Sequence, residues 1–268
     1  MRVDEWIRSA EGRLAKAGVP DSRLDAQMLA AHALSQERSW ILAHPEAEVP
    51  IEAEAFLKRR EQREPLAYIL GWREFYGRRF QVVPGVLVPR QETETLVEVA
   101  LEGLGGKVLD VGTGTGCLAV TIKLERPTWM VAACDISQTA VSLARTNAHA
   151  LDATVHVTRS DMFEAFMDTQ FGVIVSNPPY VATGAELPPE VAGYEPHEAL
   201  YAGLDGLDFY RRLALEARHR LVSWGRLIVE LGDGMEPEVS AMFTEHGWTV
   251  VEARPDLGGM PRALVLTP

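Results

Sequence analysis

From Lys107 to Val120 the chain reads KVLDVGTGTGCLAV: a short apolar run, a turn with glycine at alternate positions, and a second apolar run. Few arrangements accept this. The spacing predicts a buried strand over 107–111 that passes through a tight glycine turn into a helix over about 116–126. Strands and helices then alternate to the end of the chain. Strands are expected at 130–135, 154–158, 171–176, 225–231, 248–254 and 262–267, and helices at about 137–150, 206–222 and 235–246. Such alternation specifies an α/β fold, a parallel sheet with helices on both faces. The last strands lie close together in sequence, so one of them is expected to run antiparallel.

The first part of the chain has a different texture. DEWIRSAEGRLAKAG places Trp6, Ala10, Leu14 and Ala17 on one helical stripe, which Gly18 stops. PDSRLDAQMLAAHAL predicts a second helix, capped by Asp21 or Ser22, with Leu24, Met28 and Ala31 inward. PIEAEAFLKRREQREP begins with Pro50 in its first turn and ends before Pro65, and PLAYILG gives one more short helix. REFYGRRFQVV alternates about Gly77 and reads as a β-hairpin. The expected organisation is a helical domain over 1–72, a hairpin linker over 73–88 and the α/β domain over 89–268, whose first helix starts near Gln91.

Bulk properties exclude several classes. With 268 residues, 47% of them hydrophobic, the chain can bury a sizeable core. No apolar run approaches the roughly 18 residues that span a bilayer, and the charged N-terminus lacks the apolar middle of a signal peptide. Cys117 and Cys134 have neither CxxC spacing nor enough company for a disulfide framework. The histidines are scattered, so no metal site is expected. A cytoplasmic protein follows from these features. The net charge is −12, and residues 1–75 hold 11 Lys/Arg against 13 Asp/Glu. A protein that grips a nucleic-acid backbone concentrates positive charge instead. The densest basic stretch, Lys58 to Arg63, reads either as a solvated helix face or as a docking patch for an acidic partner.

Gly112, Gly114 and Gly116 let the backbone turn tightly and come close to a ligand. The spacing is GxGxG, and Cys117 stands where a dinucleotide fingerprint places its last glycine. Asp110, just before the turn, suits a cationic amino group better than a pyrophosphate. Asp135 ends the second strand, placed for ribose hydroxyls or as a helix cap, and Asp161 and Met162 could border a purine. An ordinary nucleotide-binding turn with NAD, or with no ligand, is the bland alternative. The constellation resembles the S-adenosylmethionine (AdoMet) fold of class I methyltransferases.

The strand FGVIVS runs into Asn177-Pro178-Pro179-Tyr180. Two prolines remove two N–H donors and hold the chain extended, which alone could be a rigid strand-ending turn. In AdoMet enzymes this NPPY stretch resembles the motif of methyltransferases that act on planar NH2 groups. Such a nitrogen has its lone pair delocalised. Acceptors aimed at its two N–H bonds, the Asn177 side-chain oxygen and the Pro178 carbonyl, return density to it, and the Tyr180 ring can pack on the planar group.

Two further stretches, PLAYILGWREFYGRRFQVVPGVLVPRQETETLVE and YEPHEALYAGLDGLDFYRRL, closely resemble segments of the bacterial methyltransferases that modify glutamine in peptide-chain release factors. The resemblance covers nearly the whole chain. It implies that Gly112, Thr113, Gly114, Thr115, Gly116, Asp135, Met162 and Asn177 contact AdoMet. It implies that Asn177, Pro178, Pro179 and Tyr180 hold the substrate glutamine. The partner is then a class-1 release factor, met through the helical domain, by a monomer without DNA, membrane or metal. A glutamine in a ribosomal protein is the nearest alternative and adenine N6 in nucleic acid a more distant one. Two departures from the family stand out. Met162 occupies a position that is often aromatic, and the C-terminal DLGGMPRALVLTP lacks the Asp- and Arg-rich run of many relatives. In VPRQETE, Arg90 and Glu92 either help close the pocket or only form a turn and helix start. Glu230, at the end of RLIVE, is expected to be structural.

Overall fold

The computed structural model describes all residues, Met1–Pro268. They group into two compact units: Met1–Trp72 with Leu187–Tyr194, and Arg73–Glu186 with Glu195–Pro268. A short segment from the second half of the chain therefore belongs to the helical unit, and the hairpin groups with the α/β unit.

The first unit contains helices α1 (Val3–Lys16), α2 (Ser22–Ala33), α3 (Arg38–Ala43), α4 (Ala53–Glu61) and α5 (Leu66–Leu70). Helix α1 buries Val3, Trp6, Ile7, Ala10 and Leu14, the stripe expected of its period. Helix α2 is turned from its expected orientation. Leu24 is 44% exposed, whereas Asp25 is buried beside Ala26, Leu29 and Ala30. The cause is an ion pair inside the unit, in which Arg60 Nε donates to Asp25 Oδ2 at 2.7 Å. A buried charge with a partner can displace a leucine from the inward face, and hydrophobic period alone cannot foresee it.

The basic stretch Lys58–Arg63 is largely neutralised from within. Arg59 pairs with Glu64 at 2.5 Å, Arg60 with Asp25, and Arg63 with Glu190 of the returning segment. Tyr194 of the same segment donates its hydroxyl to the Gln62 carbonyl at 2.8 Å. Arg60 and Arg63 are thus committed within the unit, whereas Lys58 is exposed and Arg59 stays partly accessible beside Glu64.

In the second unit, β1 (Trp72–Phe75) and β2 (Arg78–Gln81) form the hairpin, which turns through Tyr76 and Gly77 at positive φ. Helix α6 (Glu94–Leu101) follows. Then come β3 (Lys107–Val111), α7 (Cys117–Glu125), β4 (Met130–Asp135), α8 (Gln138–Ala150), β5 (Val155–Arg159) and β6 (Phe171–Ser176). The chain ends with α9 (Asp208–Glu216), β7 (Leu221–Glu230), α10 (Glu236–Glu245), β8 (Thr249–Pro255) and β9 (Pro261–Thr267). The expected helix 206–222 is thus shorter. A 3-10 turn at Ala217–Arg220 ends it, and Leu221 already pairs with Phe171 before a register irregularity.

The strands lie in the order β5-β4-β3-β6-β7-β9-β8, parallel except that β9 runs antiparallel to both of its neighbours. Side chains alternate across the sheet. Val108, Val173 and Val175 pack with α6, α7 and α8, while Leu109, Val111 and Ile174 pack with α9 and α10. All six residues of β6 are buried, as a central strand covered on both faces requires. From β3 the chain moves outward through β4 and β5, then returns to β6 on the other side of β3. That reversal opens a crevice at the carboxyl ends of β3 and β6, where doubly wound sheets take ligands.

Candidate active site

Both motifs end at that crevice. The glycine turn leaves β3, and NPPY leaves β6, its neighbour through the Asp110–Val175 register. The turn is tied down from below. Gly112 and Thr113 donate their backbone N–H groups to the Cys134 carbonyl at 2.9 and 3.0 Å. Asp110 lies beneath the turn, fully buried, and its Oδ2 accepts from the Thr113 hydroxyl at 2.6 Å and from the Ala119 N–H at 3.2 Å. Its Oδ1 has no partner, and burial pushes its carboxyl up to about 7. The expectation that Asp110 meets a cationic amino group is therefore corrected. A carboxylate enclosed by the turn it braces is not on the cavity wall.

Asp135 does reach the wall. Its Oδ2 accepts from Gly114 N at 2.9 Å and its Oδ1 from Ser137 N at 2.9 Å. Burial raises its pKa, and these backbone donors oppose the rise. Capping of α8 falls to Ser137, whose hydroxyl accepts from Ala140 N at 3.3 Å, so Asp135 is free of that duty. Gly116 serves packing rather than the wall. A Cβ there would lie 3.0 Å from the Cβ of Ala144 on α8, at a φ of +84° that other residues resist. Asn147 on α8 completes the bracing: its amide donates to the Thr115 and Gln81 carbonyls at 2.8 and 3.1 Å.

At the other edge, the Asn177 amide nitrogen donates to the Thr93 hydroxyl at 3.1 Å. Thr93 in turn donates to Glu230 Oε2 at 2.5 Å, and the Tyr180 hydroxyl donates to Glu230 Oε1 at 3.4 Å. Glu230 is buried, which pushes its carboxyl up to about 7 against the Thr93 hydrogen bond. The Tyr180 hydroxyl is raised by burial and by the Glu230 charge. Glycine at 206 is required by close approach, since a Cβ there would stand 2.4 Å from the Tyr180 carbonyl oxygen. Beyond the motif, Val181 N donates to the Leu200 carbonyl and Ala202 N to the Val181 carbonyl, at 2.8 and 2.9 Å. These bonds fix the exit of NPPY.

A single cavity brings most of the expected residues together. Gly112, Thr113, Gly114, Thr115, Asp135, Met162, Asn177 and Pro179 line it. Gly116, Pro178 and Tyr180 do not; the Tyr180 ring packs against the core with Met235. Asp161 is on the wall, held by Arg212 at 2.9 Å. Arg90 also lines the cavity and pairs with buried Glu195 at 2.6 Å. Val86, Thr93, Ile136 and Phe209 lie on the same wall without having been singled out by any motif. A Cβ at Gly112 would meet no atom, so the backbone there is open to a ligand. Glycine backbone, an acid with spare lone pairs at Asp135 and apolar sides at Ile136 and Met162 fit an amino-acid-bearing nucleoside. The site fits AdoMet.

The fold and this site define an AdoMet-type methyltransferase. Residues 90–191 match the family model described as "Methyltransferase small domain", and residues 5–71 match "PrmC N-terminal domain". A crystal structure of a methyltransferase from Pyrococcus furiosus shares the fold at TM-score 0.55 and 19% identity, covering 72% of this chain and 89% of that one. The Thermus thermophilus 16S rRNA N2 G1207 methyltransferase, solved with AdoMet and guanosine, does so at TM-score 0.51 and 20% identity, over 84% of this chain and 53% of that one. The release factor glutamine methyltransferase of Cereibacter sphaeroides is 42% identical over 98% of this chain and 97% of its own length. The chain belongs to the release factor glutamine methyltransferase family.

Proposed function

We propose that the chain transfers a methyl group from AdoMet to the side-chain amide nitrogen, N5, of the glutamine in the Gly-Gly-Gln loop of class-1 peptide chain release factors. The observation that carries this reading is the shared wall: Asn177 and the glycine turn line one cavity at adjacent strand ends. AdoMet supplies a methyl group activated on a sulfonium. The chain's own residues do the rest. Gly112 to Thr115 present backbone to the amino-acid end, Asp135 accepts from the ribose hydroxyls, and Ile136 and Met162 border the purine. Asn177 Oδ1 and the Pro178 carbonyl accept from the two N–H bonds of the substrate amide, which directs its lone pair outward.

No strong base is required in this scheme. The amide nitrogen becomes acidic as it takes the methyl group, and its proton leaves to water. Catalysis rests on position and on acceptors fixed in advance. Residues 1–72 are assigned to recognition of the intact release factor, and the enzyme acts as a monomer without metal or DNA.

Labelled AdoMet offered with purified release factors, ribosomal subunits and DNA side by side tests the reading. Label is expected in the release factor alone. Label confined to ribosomal subunits or DNA would overturn the substrate. Asn177→Ala is expected to slow single turnover by about 10²–10³, the scale of losing one preorganised partner.

A further inference from the structure

A carboxamide has two ends of nearly one shape, an oxygen that accepts and an NH2 that donates. The substrate of the proposed reaction is itself an NH2 group, so an Asn177 turned the wrong way would meet it donor to donor. Nothing in NPPY fixes the choice.

We propose that Thr93 and Glu230 are positioning residues that set this polarity: the ionised carboxylate accepts the Thr93 hydroxyl hydrogen bond, Thr93 can then only accept from Asn177, and Asn177 Oδ1 is left to the cavity. This inference rests on the methyl-transfer reading above and adds the control of its acceptor.

The geometry supports each link. Thr93 Oγ1 carries one hydrogen, and it is committed to Glu230 Oε2 at 2.5 Å. Only lone pairs remain toward Asn177, whose nitrogen lies 3.1 Å away. Thr93 and Glu230 are 2% and 1% exposed, so water offers the hydroxyl little alternative. The Glu230 carboxylate has no direct ion pair. Arg262 on β9 is attractive at a distance, but its own donors go to the Leu231 carbonyl, Asp233 and Asp256. Glu92, before α6, repels it, and the Tyr180 hydroxyl is its remaining side-chain partner. From α9, Tyr210 bonds the Glu230 backbone carbonyl instead. The carboxyl is consequently raised to about 7 by burial. Once protonated, Glu230 donates to Thr93 Oγ1. The Thr93 hydrogen is then released toward Asn177, which now offers its oxygen to Thr93 and its NH2 to the cavity. No bond to carbon breaks; one proton taken up from water reverses the two hydrogen bonds.

The sequence supplies an unusually clean probe, because Asn147 and Asn177 are its only asparagines. Protein labelled with 15N-asparagine shows two carboxamide signals. The Asn177 signal is expected to titrate with a midpoint near 7 in the wild type and to be flat in Glu230→Gln and Thr93→Val. Asn147, anchored to two backbone carbonyls, serves as the internal reference. This readout needs no substrate, so it stands even if the release factor proves to be the wrong one.

Kinetics give the second arm. Thr93→Val is expected to lower kcat about tenfold or more, with KM for release factor and affinity for AdoMet within about twofold. Thr93→Ser, which keeps the hydroxyl, is expected to restore most of the rate. The acid limb of the wild-type rate profile is expected to vanish in Glu230→Gln. An Asn177 titration that persists in Glu230→Gln overturns the relay, as does a Thr93→Val enzyme with undiminished kcat or a Thr93→Ser enzyme no better than Thr93→Val. If Thr93→Val loses AdoMet affinity as well, the site has collapsed. The Thr93→Ser rate and the Glu230→Gln titration then decide by the same criteria.

Discussion

Two aspartates show how little separates a ligand-binding acid from a bracing one. Asp110 and Asp135 lie near the carboxyl ends of adjacent parallel strands, yet one is sealed under the glycine turn and the other stands at its rim. Asp135→Ala is expected to weaken AdoMet binding by roughly 1.5–3 kcal/mol, the worth of hydrogen bonds to a charged acceptor. Calorimetry on the purified variant measures it, and unchanged affinity would reduce Asp135 to a brace for Gly114. Asp110 has a pH signature instead. Its folded-state pKa of about 7 exceeds the ordinary 3.8, so the folded protein holds the extra proton between those values. This contribution to stability is complete below pH 4, declines as pH rises, and is gone above about 7. Asp110→Asn removes the titration. Relative to wild type, the variant is expected to gain at least about 1 kcal/mol between pH 5 and pH 8, since one pKa unit is worth about 1.4. Parallel urea midpoints at the two pH values would refute this.

At the scale of elements, what the sequence made legible follows what periodicity can carry. Strand β6 and its NPPY ending could be read directly, because an all-apolar run stopped by two prolines has few other meanings. The end of α9 could not. EARHRLVSW continues a plausible helix, and only pairing of Leu221 with Phe171 across the sheet turns it into strand. Helix α3 is six residues long, too short for a period to declare itself. Asp135, Asn177 and the glycines could be found from motifs, whereas Thr93 and Glu230 are 137 positions apart and meet only in the fold. The α2 error has the same origin in the Asp25–Arg60 pair. Asp25→Ala is expected to destabilise the protein by about 3 kcal/mol, because it strands a buried guanidinium. The Glu190 carboxylate, 3.9 Å from Arg60, keeps the loss toward the low end. Chemical denaturation measures the change, and a loss under about 0.5 kcal/mol would show the pair to be dispensable.

Over the whole molecule, acidity and connectivity matter more than any one contact. No helix is long and apolar enough to cross a membrane. The net charge is −12. The chain visits its two units in the order helical, α/β, helical, α/β, since Leu187–Tyr194 belongs with Met1–Trp72. A chimera in which residues 1–72 alone come from a relative is therefore expected to unfold several degrees earlier than one that also carries that relative's 187–194. Scanning calorimetry on the two chimeras decides it, and equal transitions would make the returning segment a passive loop. For descent, the consequence is that no single crossover separates these units. A crossover at residue 72 would hand the offspring a new head with the old one's clasp.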